Sequence, residues 1–502
     1  MTARRPPFAL VFGALVAGAV LWSLGGLEPH DESWFVQVTD RVAGGETLYK
    51  DVAYGATPLA VYLALPLVWL FGAQILWVKA LVVGCFVASL LLLVSIGRRI
   101  GATNLELTAA GVALLVWSPP IRAALYQPLA TVLLLAALAA MLAWRDSRAT
   151  RTVALAGALA GLSFAAKQNV GAYAALAVVA AALVGGGSGR VRAAAVASGA
   201  FAATVALTLV PVLATGGLRV FWDYGFASKG EYVNHGDISY ADGFESQLYV
   251  VRFPVHGVVD AATAVVHAYE LAVFVLVPLI LLALSAAWLR TRGEDRARIA
   301  VVGVFSLAAA AAIFPRADTA HVSFVFPVLL VGALCAAKAL VREDHLRTAV
   351  IVLLVVLAPV ALARGLWPVA QLAQGTVQFS GLPHARGVLV EPEIETEIAN
   401  AAAALRREPG PVFAATSQAG ILYLVSGLEN PTPYDYPLVS AFGSDGEERL
   451  AADVERGRFA AVCTDFGTDP AVVPTRLAAA ILRSFTPAED LGVCRIYRRS
   501  PR

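Results

Sequence analysis

Long apolar runs separated by short polar loops dominate the chain up to about residue 364. The runs come close to the roughly 20 apolar residues that a helix needs to cross the hydrocarbon core of a bilayer. They lie at about residues 8–27, 76–97, 107–120, 122–143, 152–166, 168–185, 193–215, 267–289, 298–314, 322–341 and 347–364. This pattern predicts a mainly α, polytopic transmembrane helical bundle of about 11 spans.

Two apolar segments need an interpretation of their own. The first run is long enough to cross a membrane and lacks a small-x-small cleavage site before Glu28, which favours a span over a secretory signal peptide. Residues 58–72 are apolar but short, and a separate span there would move Arg98 and Arg99 to the wrong side. We predict that this segment is a re-entrant or juxtamembrane helix that leads into the second span.

The loops between the runs form two alternating classes. Loops of one class are mixed or acidic: 28–57, 118–122, the surroundings of Lys167, 216–266 and 315–321. Loops of the other class are short and basic, and with the N-terminus they carry Arg4, Arg5, Arg98, Arg99, Arg145, Arg148, Arg151, Arg190, Arg192, Arg290, Arg292, Arg296, Arg298, Arg342 and Arg347. Because basic loops stay cytoplasmic, we expect a multi-pass protein of the cell (plasma or inner) membrane with a cytoplasmic N-terminus and extracytoplasmic mixed loops.

The chain changes character after residue 364, where charge rises and the apolar runs become short. Strands are predicted at 411–415, 459–463 and 493–497, and helices at 393–407, 447–456 and 474–485. This alternation predicts a small extracytoplasmic α/β domain over residues 365–502, following a transmembrane module over residues 1–364.

The four cysteines divide into two pairs. Cys463 and Cys494 lie on predicted strands, where an oxidising compartment permits a disulfide and two unpaired cysteines are the alternative. Cys85 and Cys335 lie in apolar runs and are expected to be core residues. No CxxC or zinc-ligand spacing occurs.

Composition supports a membrane protein, and charge argues against one class of function. Hydrophobic residues make up 58% of the 502 residues and charged residues 15%, against about 25% charged in soluble domains. The net charge of +2 and the absence of a basic face argue against nucleic-acid binding.

Candidate chemistry begins in the first mixed loop. Six carboxylates lie in the segment from Glu28 to Asp51. Asp31 and Glu32 directly follow the first span, and Asp51 is a further candidate. A carboxylate at the membrane surface can deprotonate a hydroxyl, or hold a divalent metal against a lipid-borne phosphate. A solvated acidic loop is the alternative.

Three further loops on the same predicted side carry polar candidates. Arg316, Asp318 and His321 supply a fixed cation, a carboxylate and a titratable group, with a loop salt bridge as the alternative. Lys167 and Gln168 are further candidates, which can contact a lipid phosphate or merely lie at the interface. Arg122 and Tyr126 can line a cleft, or merely belong to a turn made by helix-breaking prolines. The loop 216–266 is rich in aromatic and acidic residues and receives no role.

The motifs together resemble the GT-C superfamily of integral membrane glycosyltransferases, nearest to the protein mannosyltransferase and aminoarabinose transferase group. The resemblance rests on Asp31-Glu32, Gly45-Glu-Thr-Leu-Tyr-Lys-Asp51, Thr57-Pro-Leu59, Lys167-Gln-Asn169, Pro315-Arg-Ala-Asp-Thr-Ala-His321 and the segment from Leu422 to Tyr434. It implies a GT-C-like architecture, a polyprenyl-phosphate-linked sugar as donor and an extracytoplasmic acceptor, which is a glycan, lipid or protein.

The resemblance also implies roles for individual residues. Asp31 becomes the general base of an inverting transfer, with Glu32 beside it. Lys167, Arg316 and His321 become contacts of the donor phosphate. Many relatives carry a second acidic motif after the third span, and here residues 121–128 contain no carboxylate. We therefore assign no metal ligands, and a divalent metal stays an open possibility.

Two other classes of protein remain as alternatives. A lipid or solute transporter, or flippase, is one, and the absence of paired half-repeats argues against it. A non-catalytic membrane assembly protein is the other, and the missing second acidic motif is compatible with it.

Overall fold

The computed structural model describes residues 8–120, 123–185, 189–228, 237–251, 258–437, 442–465 and 475–499. As far as Gln374, the described residues are mainly helical, which confirms the predicted bundle. The helices are α1 (Phe8–Leu24), α2 (Asp31–Ala43), α3 (Leu59–Phe71), α4 (Ile75–Arg99), α5 (Asn104–Trp117), α6 (Tyr126–Ser147), α7 (Thr150–Ala166), α8 (Gln168–Gly185), α9 (Arg190–Ala214), α10 (Leu218–Trp222), α11 (Tyr240–Val251), α12 (Val258–Arg290), α13 (Gly293–Ala311), α14 (Thr319–Leu340) and α15 (Glu343–Gln374).

The protein is a multi-pass membrane protein by the length and hydropathy of its helices. Within the described residues, seven helices are long and apolar enough to cross a bilayer: α4, α6, α8, α9, α12 from His267, α14 and α15. The apolar helices α1, α5 and α7 are shorter, and α13 begins with charged residues. Each predicted apolar run therefore corresponds to one helix, and a full crossing by the four weaker ones stays a prediction.

The segment 58–72 forms a helix of its own. Helix α3 ends at Phe71 and is followed by Gly72, whose φ of +76° suits a residue without a side chain. Trp69, Leu70 and Phe71 at its end are exposed by 64%, 72% and 58%, an apolar surface that fits contact with lipid. The location of this helix at the membrane surface stays a prediction.

The basic loops meet at one end of the bundle. Arg99 Nη1 lies 3.0 Å from Asp146 Oδ2, which links the loop after α4 to the end of α6. Arg145 pairs with Glu294 at the start of α13. Loops far apart in sequence thus share one end, as the positive-inside interpretation requires.

The mixed loops meet at the opposite end, which we call the site end. Thr57 Oγ1 donates a hydrogen bond to the carbonyl of Phe164 at 2.7 Å, just before Lys167. Asn169 Nδ2 donates to the carbonyl of Phe314 at 3.2 Å. These contacts bring three of the four candidate loops together.

A small α/β region follows α15. Two short strands, β1 (Gln378–Phe379) and β2 (Leu389–Val390), pair antiparallel. A four-stranded sheet has the order β3-β4-β6-β5, with β3 (Val412–Ala415) parallel to β4 (Ala461–Thr464) and β5 (Phe485–Asp490) and β6 (Arg495–Arg499) antiparallel to their neighbours. The helices are α16 (Pro392–Arg406), α17 (Ala419–Ser426), α18 (Gly446–Arg456) and α19 (Thr475–Ser484).

The sequence missed four elements of this region: the strands β1, β2 and β5 and the helix α17. Strands β1 and β2 have two residues each, too few for an alternation to detect. Strand β5 contains Pro487, which reads as a turn residue but is tolerated because β5 is the edge strand of the sheet. Helix α17 has eight residues that are all buried, so it shows no polar face for a periodicity to detect. Cys463 and Cys494 form a disulfide with Cα atoms 5.7 Å apart, while Cys85 and Cys335 are buried and free.

The C-terminal region packs directly on the site end of the bundle. A Cβ added to Gly420 of α17 would lie 2.6 Å from the backbone nitrogen of Trp34, so only glycine permits this approach. His384 accepts a hydrogen bond from the backbone N–H of Ile75 through its carbonyl oxygen at 2.8 Å. A shared apolar core includes Phe35 of α2 and Leu422 of α17. The region therefore covers the helix that begins with Asp31.

Candidate active site

Asp31 is the first residue of α2, and the preceding turn explains why the helix begins there. The Glu28 carboxylate accepts hydrogen bonds from the backbone N–H of His30 at 2.9 Å and of Glu32 at 3.0 Å. These bonds satisfy donors that a helix N-terminus leaves without intrahelical partners. Asp31 itself is half-buried at the end of the helix where the macrodipole favours negative charge.

Burial perturbs the Asp31 carboxyl group. Loss of solvation raises the pKa of Asp31 to about 6, and the negative charge of Glu28 adds to that rise. The positive charges of His30, Lys167 and Arg316 pull the same pKa down. A carboxyl group with this pKa is an effective base near neutral pH.

Glu32 has a different environment from its neighbour. Its side chain is 1% exposed and pairs with the Lys79 ammonium group on α4 at 3.0 Å, with Lys79 2% exposed. Lys79 also donates a hydrogen bond to the carbonyl of Gly26 at 3.0 Å. This buried ion pair ties α2 to α4, so the carboxylate next to Asp31 is occupied by a structural contact.

Lys167 lies in the break between α7 and α8, where its extended backbone separates the two helices. Its ammonium group contacts Gln127 and lies 5.5 Å from the centre of the Tyr126 ring. Tyr126 in turn packs edge-on against Trp34, with ring centres 6.3 Å apart. Tyr126 therefore connects the cation at Lys167 to the helix that carries Asp31.

Arg316, Asp318 and His321 form one hydrogen-bonded unit at the start of α14. The Asp318 carboxylate caps the helix by accepting from the His321 backbone N–H at 2.9 Å, contacts His321 Nδ1 at 2.8 Å, and accepts from Arg316 Nε at 2.6 Å. Burial opposes ionisation, but the bonds from His321 and Arg316 lower the pKa of Asp318 below its ordinary value. Asp318 thus holds the Arg316 guanidinium in place.

Of the other sequence candidates, two make contacts that hold loops together and one lies outside the described residues. Gln168 Nε2 donates to the carbonyls of Gly225 at 3.0 Å and Gly55 at 3.2 Å, which ties three loops together. Asp51 is exposed and closes a turn by accepting from the Thr47 backbone N–H at 2.9 Å. Arg122 lies outside the described residues.

The sequence missed an aromatic cluster beside Asp31. Trp34 packs against Tyr54 with ring centres 5.3 Å apart and against Tyr436 of the C-terminal region at 5.5 Å. Tyr54 lies just before the motif Thr57-Pro-Leu59, and Tyr436 follows the motif that ends at Tyr434. Their closeness to these motifs is the only signal in the sequence that could have identified them as site residues.

The site therefore combines one perturbed carboxyl group with cations from two other elements. Asp31 comes from α2, Lys167 from the break before α8 and Arg316 from the loop before α14. Among the described residues, no group of three or more histidines, cysteines or carboxylates lies close enough together to hold a metal ion. Such an arrangement can take a proton at Asp31 and neutralise an anion at the two cations.

Comparisons with known proteins identify the fold. No family model and no curated protein sequence matches the chain. The crystal structure of ArnT from Cupriavidus metallidurans bound to undecaprenyl phosphate aligns over 98% of this chain and 99% of that chain, with a TM-score of 0.59 and 15% identity. The apo ArnT structure aligns over the same shares with a TM-score of 0.56.

A third similar structure is the arabinofuranosyltransferase AftD from Mycobacteria, solved by single-particle cryo-EM. It aligns over 99% of this chain and 40% of that chain, with a TM-score of 0.48 and 15% identity. The chain therefore has the same fold as the two ArnT structures over nearly the whole length of both chains.

Proposed function

We propose that the protein is a membrane glycosyltransferase that moves a sugar from a polyprenyl-phosphate donor to an acceptor hydroxyl outside the cytoplasm. The observation that carries this proposal is a convergence of three loops in a GT-C-like fold. Hydrogen bonds from Thr57 to Phe164 and from Asn169 to Phe314 bring the loops of Asp31, Lys167 and Arg316 together. ArnT shares that fold and was crystallised with undecaprenyl phosphate, which supports a lipid-linked donor here.

The proposed reaction is a single displacement with inversion at the anomeric carbon. The Asp31 carboxylate takes the proton of the acceptor hydroxyl while the acceptor oxygen forms a bond to the anomeric carbon. The bond between that carbon and the phosphate oxygen breaks, and polyprenyl phosphate leaves with the electron pair. Positive charge on Lys167 and Arg316 stabilises the leaving phosphate, with His321 held next to it by Asp318.

The membrane orientation belongs to the same proposal. The site end, with the C-terminal region on it, lies on the extracytoplasmic side because the arginine-rich loops occupy the other end. The disulfide between Cys463 and Cys494 fits that side, since disulfides persist in oxidising compartments. In this proposal Glu32 is a positioning residue that anchors α2 through Lys79.

A transfer assay tests the proposal. Purified protein in lipid vesicles is offered a panel of polyprenyl-phosphate sugars with mixed glycan, lipid and peptide acceptors, and release of free polyprenyl phosphate is followed. We expect release by the wild type and a loss of about 100-fold or more in Asp31→Asn, because a general base is removed. Asp146→Asn, at the opposite end of the bundle, is the matched control and should keep full activity.

Binding measurements separate the possible failures. Arg316→Gln and Lys167→Gln should weaken binding of undecaprenyl phosphate by about tenfold or more, since each removes a charged contact. Arg99→Gln, at the arginine-rich end, should not. If Asp31→Asn still transfers the sugar, Asp31 is not the base. If Arg316→Gln and Lys167→Gln both bind undecaprenyl phosphate as well as the wild type does, these residues do not form the donor-phosphate site.

A further inference from the structure

Tyr54 packs against the helix that begins with Asp31, and the proposed mechanism gives it no role. It is 1% exposed and belongs to the segment between α2 and α3. Its ring contacts Trp34 at 5.3 Å and Tyr49 at 6.3 Å between ring centres. Trp34 follows Asp31 by three residues on α2, so the two share a helix face.

The Tyr54 hydroxyl differs from that of its neighbour Tyr49. The Tyr49 hydroxyl donates a hydrogen bond to the Ala56 carbonyl at 2.5 Å and so holds the loop together. The Tyr54 hydroxyl is buried and has no hydrogen-bond partner among the described residues. An unsatisfied buried hydroxyl costs stability, and a functional role explains why such a group is retained.

The electrostatics connect this hydroxyl to Asp31. Burial, and after it the negative charge of Asp31, raise the pKa of Tyr54 well above its ordinary value. The phenol therefore stays protonated at every working pH and can act only as a hydrogen-bond donor towards a carboxylate.

We infer that Tyr54 is a positioning residue whose hydroxyl donates a hydrogen bond to the Asp31 carboxylate when the acceptor enters the site. One carboxylate oxygen then accepts from Tyr54 and the other takes the acceptor proton. This inference rests on the proposed function, because it assigns Tyr54 to the base of that reaction. Trp34 holds the tyrosine ring, and the hydroxyl orients the base.

A hydrogen bond to the ionised form lowers the pKa of a carboxyl group, so loss of the donor should raise that of Asp31. Other charged groups act on Asp31 and remain in place in a Tyr54 variant: Glu28, His30, Lys167 and Arg316. Two charged groups on elements that pack against α2 also remain in place. Lys79 is paired with Glu32, and Asp465 lies near His30. Arg122 lies outside the described residues.

The test is Tyr54→Phe in the transfer assay, because phenylalanine keeps the ring and removes only the hydroxyl. We expect kcat to fall about tenfold, KM for the acceptor to change little, and the acid limb of the kcat profile to move up by about one pH unit. The comparison is repeated with His30→Gln in both the wild type and the Tyr54 variant. This removes a second titratable group, whose pKa is raised by its hydrogen bond to Glu28.

Tyr49→Phe is the matched control on the same loop. Its hydroxyl holds a loop carbonyl, so this variant should unfold at lower temperature and keep the wild-type pH profile. Tyr54→Phe should unfold at the wild-type temperature or above, because it removes an unsatisfied group.

Asp31→Asn, measured in parallel, separates the two hypotheses. If Asp31→Asn is inactive but Tyr54→Phe keeps the wild-type kcat and pH profile, the role of Tyr54 is overturned and the proposed function stands. If Asp31→Asn is active, Asp31 is not the base and both assignments fail.

Discussion

Arg41 and Asp435 form a buried ion pair between α2 and the C-terminal region, with Arg41 Nη1 2.9 Å from Asp435 Oδ2. The side chains are 8% and 0% exposed. The same guanidinium donates to Glu46 Oε2 at 2.6 Å and to the carbonyl of Thr432 at 3.0 Å. The last turn of the helix that begins with Asp31 is thus fixed to the region that covers the site.

Replacement of Arg41 should destabilise the protein strongly. Arg41→Met leaves the buried carboxylate of Asp435 without its cation, and loss of one partner from a buried pair costs about 3–5 kcal/mol. Thermal unfolding in detergent, followed by tryptophan fluorescence, measures the effect. Arg99→Met breaks an exposed pair with Asp146 and should cost less than about 1 kcal/mol. Equal effects of the two variants would contradict the tethering role of Arg41.

Activity should depend on pH through Asp31. Burial raises the pKa of this carboxyl group to about 6, and only its ionised form can accept a proton. The rate should therefore rise with pH up to about 6 and level off above it, falling about tenfold for each pH unit below that point. The measurement is the pH profile of kcat/KM for the acceptor under saturating donor, which reports the pKa of Asp31 before the acceptor binds. A profile that stays flat down to pH 4.5 would argue against Asp31 as the base.

The same carboxyl group should reduce stability at neutral pH. Its pKa is raised from 3.8 in the folded protein, so the folded state binds the proton more tightly than the unfolded state does. The contribution of Asp31 to the stability of the wild type is greatest below its ordinary pKa of 3.8. This contribution is lost as the pH rises through about 6. Asp31→Asn should therefore unfold at a higher temperature than wild type at pH 7.5, and the difference should shrink towards pH 4. Asp51→Asn, at an exposed position, should show no such gain.

Loss of the disulfide should weaken the C-terminal region. Cys463 and Cys494 are separated by 31 residues in sequence. A disulfide that closes a loop of this length contributes about 2–4 kcal/mol to the free energy of unfolding. Replacing both cysteines by serine should lower the unfolding midpoint by a matching amount. Reductant should have a similar effect on wild type and none on the double variant. Thiol labelling of the unfolded, unreduced wild type should detect only Cys85 and Cys335.

The bundle and its two ends could be predicted from the sequence because they depend on local properties. Apolar runs of sufficient length form helices in a bilayer, and arginines at alternate loops assign those loops to one end. The contact between Arg99 and Asp146 agrees with that assignment, as does the contact between Thr57 and Phe164. Asp31, Lys167 and Arg316 were candidates because each interrupts apolar sequence with a charge.

The different environments of Asp31 and Glu32 could not be predicted. The two carboxylates are adjacent in sequence, and successive helical residues point about 100° apart. Packing of α2 against α4 places Glu32 on Lys79, while the electrostatic partners of Asp31 include Lys167 and Arg316. Sequence spacing does not reveal which face of α2 meets which neighbour.

The sequence by itself determined the membrane bundle, the alternation of its loops and the charged residues at the site end, because hydrophobicity and charge act through the nearest residues in the chain. Only the tertiary structure decided that Trp34 meets Tyr54 and Tyr436, and that Arg41 reaches Asp435. The contacts of Tyr436 and Asp435 join α2 to a segment distant in sequence, and they form because the C-terminal region buries its apolar surface on α2.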